Sequence, residues 1–191
     1  MPTILAFAGS LRKESFNKKL VKIAGKGAEE GGATVIYIDL LDYPLPVYNG
    51  DIEEAEGLPP NAIKLKKLMD EADGFIIASP EYNSSISGAL KNTIDWVSRK
   101  GSPDEVYLSA FIDKVALILS ASPSFLGGVR GLAHLRSILE NIHTFVLPKQ
   151  KIISFANEAF DSEGSLKKPG DQKEVFDLGK KLSQTIQKLR G

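Results

Sequence analysis

Short apolar runs alternate along the chain with longer stretches in which apolar positions recur every three or four residues. Unbroken or alternating apolarity over four to eight residues marks strands, and the 3.6-residue period marks helices. A first strand is predicted at Thr3 to Ala8, followed from about Ser15 by a helix with Phe16, Leu20, Ile23 and Gly27 on one face. Thr34 to Leu40 is the second strand, and Leu65, Leu68, Met69 and Ala72 form the inner stripe of a second helix. Gly74 to Ser79 has no polar interruption before its end, as a strand buried on both faces requires. A third helix from about Ser87 to Arg99 presents Leu90, Ile94 and Val97, and Val115 to Ser120 is the fourth strand. The fourth helix carries Leu132, Leu135, Leu139 and Ile142. A last strand is split between Phe145–Leu147 and Ile152–Phe155, and a closing helix holds Val175, Leu178, Leu182, Ile186 and Leu189.

Five strands alternating with five helices predict an α/β fold, a three-layer doubly wound parallel sheet. The length predicts a single domain over residues 1–191. The one long connection, Asp42 to Pro60, is rich in Pro and acidic residues and reads as a rim or lid. Ligands of such sheets lie beyond the carboxyl ends of the strands, which directs attention to the loops after strands one, three and four.

Composition narrows the chemistry. With 24 Lys and Arg against 24 Asp and Glu, the chain lacks the basic excess that nucleic acid or an anionic membrane attracts. It has no cysteine, which removes disulfides, zinc–thiolate sites, iron–sulfur clusters and thiol catalysis. Any redox chemistry therefore needs a borrowed cofactor. The first residues carry no basic leader and too short an apolar run to span a bilayer, so a cytoplasmic protein is expected. His134 and His143 lack carboxylate partners at metal-ligand spacing and read as surface or packing residues, and no metal site is expected. Lys64, Lys66 and Lys67 read as a solvated helix face.

The loop after strand one runs Gly9-Ser10-Leu11-Arg12-Lys13-Glu14-Ser15-Phe16-Asn17. It places hydroxyls, an amide and a guanidinium at a helix N-terminus, whose free N–H groups and dipole favour an anion. A phosphate held by Ser10, Ser15, Asn17 and Arg12 is one reading; a simple Ser15 cap beside a solvated Arg12 is the other. Neither G-x-G-x-x-G, nor G-x-x-x-x-G-K-[ST], nor G-x-S-x-G occurs. A Rossmann dinucleotide site, a P-loop and a nucleophile elbow are thereby disfavoured, and a monophosphate remains. After strand three, Pro80-Glu81-Tyr82-Asn83 can present backbone groups and an aromatic ring to a flat heterocycle, or can simply end the strand in a turn. After strand four, Gly127-Gly128 permits close approach to a ligand or supplies a left-handed turn.

Three blocks, Gly9-Ser10-Leu11-Arg12…Ser15-Phe16-Asn17, Ser79-Pro80-Glu81-Tyr82-Asn83…Gly88-Ala89-Leu90-Lys91-Asn92…Asp95-Trp96 and Ser120-Ala121-Ser122-Pro123…Gly127-Gly128, resemble the NAD(P)H-dependent FMN reductases. This flavodoxin-like group includes quinone, chromate and azo reductases. The resemblance implies a flavodoxin-like sheet of order 2-1-3-4-5 and noncovalent FMN, its phosphate against Ser10, Arg12, Ser15, Phe16 and Asn17. The flavin ring would rest against Pro80, Glu81, Tyr82 and Asn83, with Ser120, Gly127 and Gly128 nearby. NAD(P)H would be the donor, with quinones, flavin, azo compounds or metal oxyanions as acceptors. No side chain is assigned a catalytic role, because the flavin carries the chemistry. The resemblance also implies a homodimer or homotetramer, with the third helix, carrying Lys91, Asp95 and Trp96, as a contact surface; Trp96 itself reads as buried or interfacial. Ser87 and Ser84 stand where the group usually has Pro and Gly. A flavodoxin-type electron carrier is the alternative; such carriers are usually acidic, and the charge balance here tells against it.

Overall fold

Along the central strands, side chains alternate between two separate apolar layers, and this alternation organises the molecule. A computed structural model describes residues 1–191. In β1 (Thr3–Ala8), Ile4, Ala6 and Ala8 enter one core while Leu5 and Phe7 enter the other. β3 (Gly74–Ala78) is buried throughout and divides the same way, with Ile76 and Ala78 on one side and Phe75 and Ile77 on the other. The uninterrupted apolar run is thus buried on both faces, as a central parallel strand must be.

The first core lies under α1 (Phe16–Glu30) and α7 (Pro169–Arg190), the second under α3 (Pro60–Glu71), α4 (Gly88–Val97) and α5 (Val129–Asn141). α1 and α7 touch backbone to backbone. A Cβ on Gly27 would lie 1.9 Å from the Phe176 carbonyl oxygen, and one on Gly179 would lie 1.8 Å from that of Ala24. Glycine at these two places lets the helices close up.

β2 (Thr34–Tyr37), β1, β3, β4 (Val115–Ala121) and β5 (Phe145–Val146) are parallel neighbours in the order 2-1-3-4-5. The last position is shared. β5 pairs with Val115 and Ala116 at the start of β4, and β6 (Lys151–Ile153) pairs with Leu119 to Ala121 at its end. The split last strand is therefore two strands along one edge, giving six in all.

The structure revises three expectations and meets one for Trp96. β2 stops at Tyr37 rather than Leu40, because Asp39 Oδ1 accepts the Leu41 N–H at 3.0 Å and turns the chain into a short 3₁₀ turn, Leu40–Asp42. The long connection holds an unforeseen helix, α2 (Gly50–Glu56), which buries no residue and so leaves no apolar period; another short helix, α6 (Ala156–Ala159), follows β6. Lys66 is buried, not solvated: it sits on the inner face of α3 beside Leu65 and Met69. Its ammonium lies 3.0 Å from Glu105 Oε1 and 3.2 Å from Ser109 Oγ, fastening the segment that leads into β4. Trp96, expected to be buried or interfacial, is fully buried; its Nε1 donates to the Pro46 carbonyl at 2.8 Å, clamping the long connection onto α4. No helix is long and apolar enough to cross a membrane.

Candidate functional site

The carboxyl ends of β1, β3 and β4 open onto one cleft of about 60 Å³, lined by Ser10, Arg12, Ser15, Phe16, Asn17, Pro80, Glu81, Tyr82, Ala121, Ser122 and Pro123. That is several times the ~10–15 Å³ one water requires, and of the size of a phosphate group rather than a tricyclic ring. Eight of the predicted site residues line it together. Asn83, Ser120, Gly127 and Gly128 do not, and their places explain why.

At the α1 end, Ser15 occupies the N-cap position with extended backbone, yet its hydroxyl makes no capping bond although the residue is buried. The N–H groups of Ser15, Phe16 and Asn17 have no acceptor within the chain. Ser10 is buried too, and its Oγ accepts only a long bond, 3.4 Å, from the Arg12 N–H. A helix N-terminus with unpaired amides, an idle hydroxyl and a guanidinium at the rim matches a phosphate in charge and in donors. The simple-cap reading of Ser15 does not match its geometry. Asn17 serves otherwise than expected. Its Nδ2 donates to the Ala121 carbonyl and its Oδ1 accepts the Ala121 N–H, both at 2.9 Å, so the side chain ties α1 to β4.

After β3 the chain makes a tight turn in which Tyr82 and Ser85 exchange backbone bonds of 2.9 and 3.1 Å. Asn83 (φ 51°) and Ser84 (φ 66°) are both left-handed, the pattern of a type I′ turn, and their N–H groups are unpaired. Tyr82 is half exposed beside the cleft. The Glu81 side chain turns away: Oε1 accepts from Arg130 Nε at 2.8 Å and Oε2 from the Gly131 N–H at 3.0 Å. α5 has no capping side chain of its own, so Glu81, fifty residues upstream, caps it. Burial alone would raise the Glu81 pKa, but the Gly131 N–H and the Arg130 guanidinium outweigh it and hold the carboxyl below its ordinary range. His134 Nδ1 lies 3.0 Å from Ser85 Oγ, a second tie between α5 and this turn. At the start of α4, Ser87 accepts the Leu90 N–H at 3.1 Å and donates to the Gly9 carbonyl, so the unusual serine binds α4 to the end of β1.

Behind the third wall, Ser120 is fully buried and donates to the Ser79 carbonyl at 2.7 Å. Gly128 (φ 93°) packs on it so tightly that a Cβ would lie 1.9 Å from Ser120 Oγ, and Gly127 has φ 59°. The pair makes both a left-handed turn and a close approach, but the approach is to the protein itself. Sequence reasoning quoted Ala121, Ser122 and Pro123 in the third block without assigning them to the site, and it passed over Arg130. Ser122 and Pro123 were within reach, since they directly follow β4, whereas only the fold brings Arg130 to Glu81.

A doubly wound 2-1-3-4-5 sheet with an anion cradle after β1 and a left-handed turn after β3 defines a flavodoxin-like cofactor-binding protein. Residues 2–158 match the family model described as NADPH-dependent FMN reductase, and the chain belongs to that family. As a member it is an FMN-dependent NAD(P)H oxidoreductase. It is 34% identical to a probable NADPH:quinone oxidoreductase of Oryza sativa, over 98% of this chain and 90% of that one. It is 35% identical to an NAD(P)H-dependent FMN reductase of Pseudomonas aeruginosa, over 98% and 97%. Among solved structures it resembles the flavoenzyme NAD(P)H:(acceptor) oxidoreductase of Paracoccus denitrificans, with a TM-score of 0.81, 28% identity and 98% of each chain covered.

Proposed function

We propose that this chain, as one domain, holds FMN with its phosphate in the β1–α1 cleft and passes electrons from NAD(P)H to a quinone. What carries the reading is the set of unpaired donors at the start of α1: the amides of Ser15, Phe16 and Asn17 and the idle Ser15 hydroxyl. Ser10 and Arg12 complete the phosphate cradle. Pro80 to Asn83 flank the ring, with the amides of Asn83 and Ser84 free to donate to it. The Asn17 side chain ties the cradle to β4, and Ser120, Gly127 and Gly128 support the third wall from behind. FMN supplies the chemistry of accepting two electrons from a nicotinamide and releasing them to a second substrate. The chain's part is to hold the phosphate and to direct N–H dipoles at a ring that gains negative charge on reduction.

Quinones are the acceptors that name several relatives; free flavin, azo compounds and metal oxyanions are each tried in place of the quinone in the assay below. A homodimer or homotetramer in the cytoplasm completes the proposal, with the exposed Lys91–Asp95 pair, 2.7 Å apart on α4, at a subunit contact. The test is anaerobic addition of NADPH or NADH to the FMN-loaded protein, followed by 1,4-benzoquinone. Bleaching of the flavin band at turnover rate and its return with quinone support the reading. Bound FMN that neither donor bleaches would make the chain an electron carrier.

A further inference from the structure

The turn between β3 and α4 is strained, and little outside it holds it in place. Asn83 and Ser84 are left-handed in succession, a conformation that residues with a Cβ resist and that persists only where the surroundings impose it. Tyr82 and Ser85 are joined by their own main chains. From Tyr82 to Ile86, one side-chain hydrogen bond reaches another element: the 3.0 Å contact of Ser85 Oγ with His134 Nδ1 on α5. Tyr82 lines the cofactor cleft, so a shift of this turn is felt there.

The first two turns of α5 are built to bear on this turn. Gly128 at the N-cap, Gly131 and His134 recur at three-residue steps and so lie along one side of the helix. A Cβ on Gly131 would lie 3.2 Å from the Ser85 carbonyl oxygen and 3.4 Å from Glu81 Cβ, and one on Gly128 would lie 3.7 Å from Glu81 Cβ. Two glycines thus let the helix approach, and the next side chain on that line is the imidazole that meets Ser85. Glu81 fastens the near end of the turn through the Gly131 N–H, and His134 fastens the far end. His134 is exposed and belongs to neither apolar core, so packing does not account for it.

We propose that His134 is a positioning residue: through Ser85 it fixes the Tyr82–Ser85 turn, so that the Asn83 and Ser84 amides stand ready for the flavin and above all for its reduced, negatively charged form. This rests on the FMN reading above. The test measures the midpoint potential of bound FMN by anaerobic dye equilibration in the FMN-loaded wild type, His134→Ala, His134→Asn, Ser85→Ala and the double variant His134→Ala/Ser85→Ala. In His134→Ala the Kd of reduced FMN rises about tenfold more than that of oxidised FMN, the scale of one hydrogen bond, and the two-electron potential falls by about 30 mV. His134→Asn keeps a polar atom at the place of Nδ1 and holds the wild-type potential. Ser85→Ala lowers it as far as His134→Ala does, and the double variant no further, because each removes the same bond. An unchanged potential in His134→Ala overturns the assignment, as does a loss that Asn fails to repair or a double variant in which the two losses add. Hydrogen exchange of the Tyr82 and Ser85 amides in the FMN-free chain keeps the two readings apart: it quickens about tenfold in His134→Ala, whatever becomes of the flavin. A wild type that takes up no FMN defeats the earlier reading, and exchange that His134→Ala leaves unaltered defeats this one.

Discussion

Replacing Glu81 by Gln keeps the shape of the side chain and removes its charge, which isolates the tie between the β3–α4 turn and α5. The carboxylate is buried, with its side chain 5% exposed, while the Arg130 side chain is 51% exposed. In Glu81→Gln the guanidinium returns to water, so the loss falls at the low end of the ~1.5–3 kcal/mol of a charged hydrogen bond. The amide has one oxygen for two donors, so either Arg130 or the Gly131 N–H now faces an NH₂ group. Losing the α5 cap adds about 1 kcal/mol. The sum is about 2–3 kcal/mol, or roughly 4–12 °C in Tm for a chain of this size. Arg130→Ala is expected to cost more, about 3–5 kcal/mol, because it strands the buried carboxylate. The more exposed partner thus carries the larger penalty. Urea denaturation of all three proteins measures this, and pH supplies an internal check. Glu81 is held below its ordinary 4.5, so its stabilisation is complete above that value and is lost as pH falls through the folded-state pKa. The gap between wild type and Glu81→Gln must therefore narrow on acidification. A gap that is absent at neutral pH, or constant down to about pH 3, would refute the reasoning.

Arg12→Ala should weaken FMN binding by about 1.5–3 kcal/mol in a fluorescence titration while leaving Tm unchanged, since the exposed Arg12 side chain holds nothing else in place. Asn17→Ala should act the other way. It strands the Ala121 N–H and carbonyl at a cost of about 2–5 kcal/mol in urea denaturation, a loss that saturating FMN does not abolish. Gly128→Ala places a Cβ 1.9 Å from Ser120 Oγ at a backbone φ of 93°; the expected loss is above about 3 kcal/mol by thermal melting, only partly rescued by Ser120→Ala.

How much of this was legible in the sequence follows from how far each interaction reaches along the chain. Strands such as Gly74–Ala78 announce themselves because burial on both faces leaves an unbroken apolar run. The cleft was legible for a related reason: once strand ends are known, the residues after β1, β3 and β4 must meet there. α2 was not, because a helix that buries nothing has no period to read. Nor were the parts played by Asn17, Glu81 and Ser120, whose partners lie 104, 50 and 41 residues away. Residue type marked them as polar and near the site, and only the packed sheet shows that they are spent on holding its walls. Lys66 makes the same point on α3, where a run of lysines hides one that turns inward to Glu105.

The central claim is that the unpaired donors at the start of α1 exist to hold a flavin that NAD(P)H reduces. Its most direct test is the visible spectrum of the FMN-loaded protein, recorded anaerobically before and after NADPH. One flavin per chain, bleached by the nicotinamide and lost in parallel with binding in Arg12→Ala, is the predicted result. A chain that retains no FMN, or one whose bound FMN is indifferent to both NADPH and NADH, would contradict it.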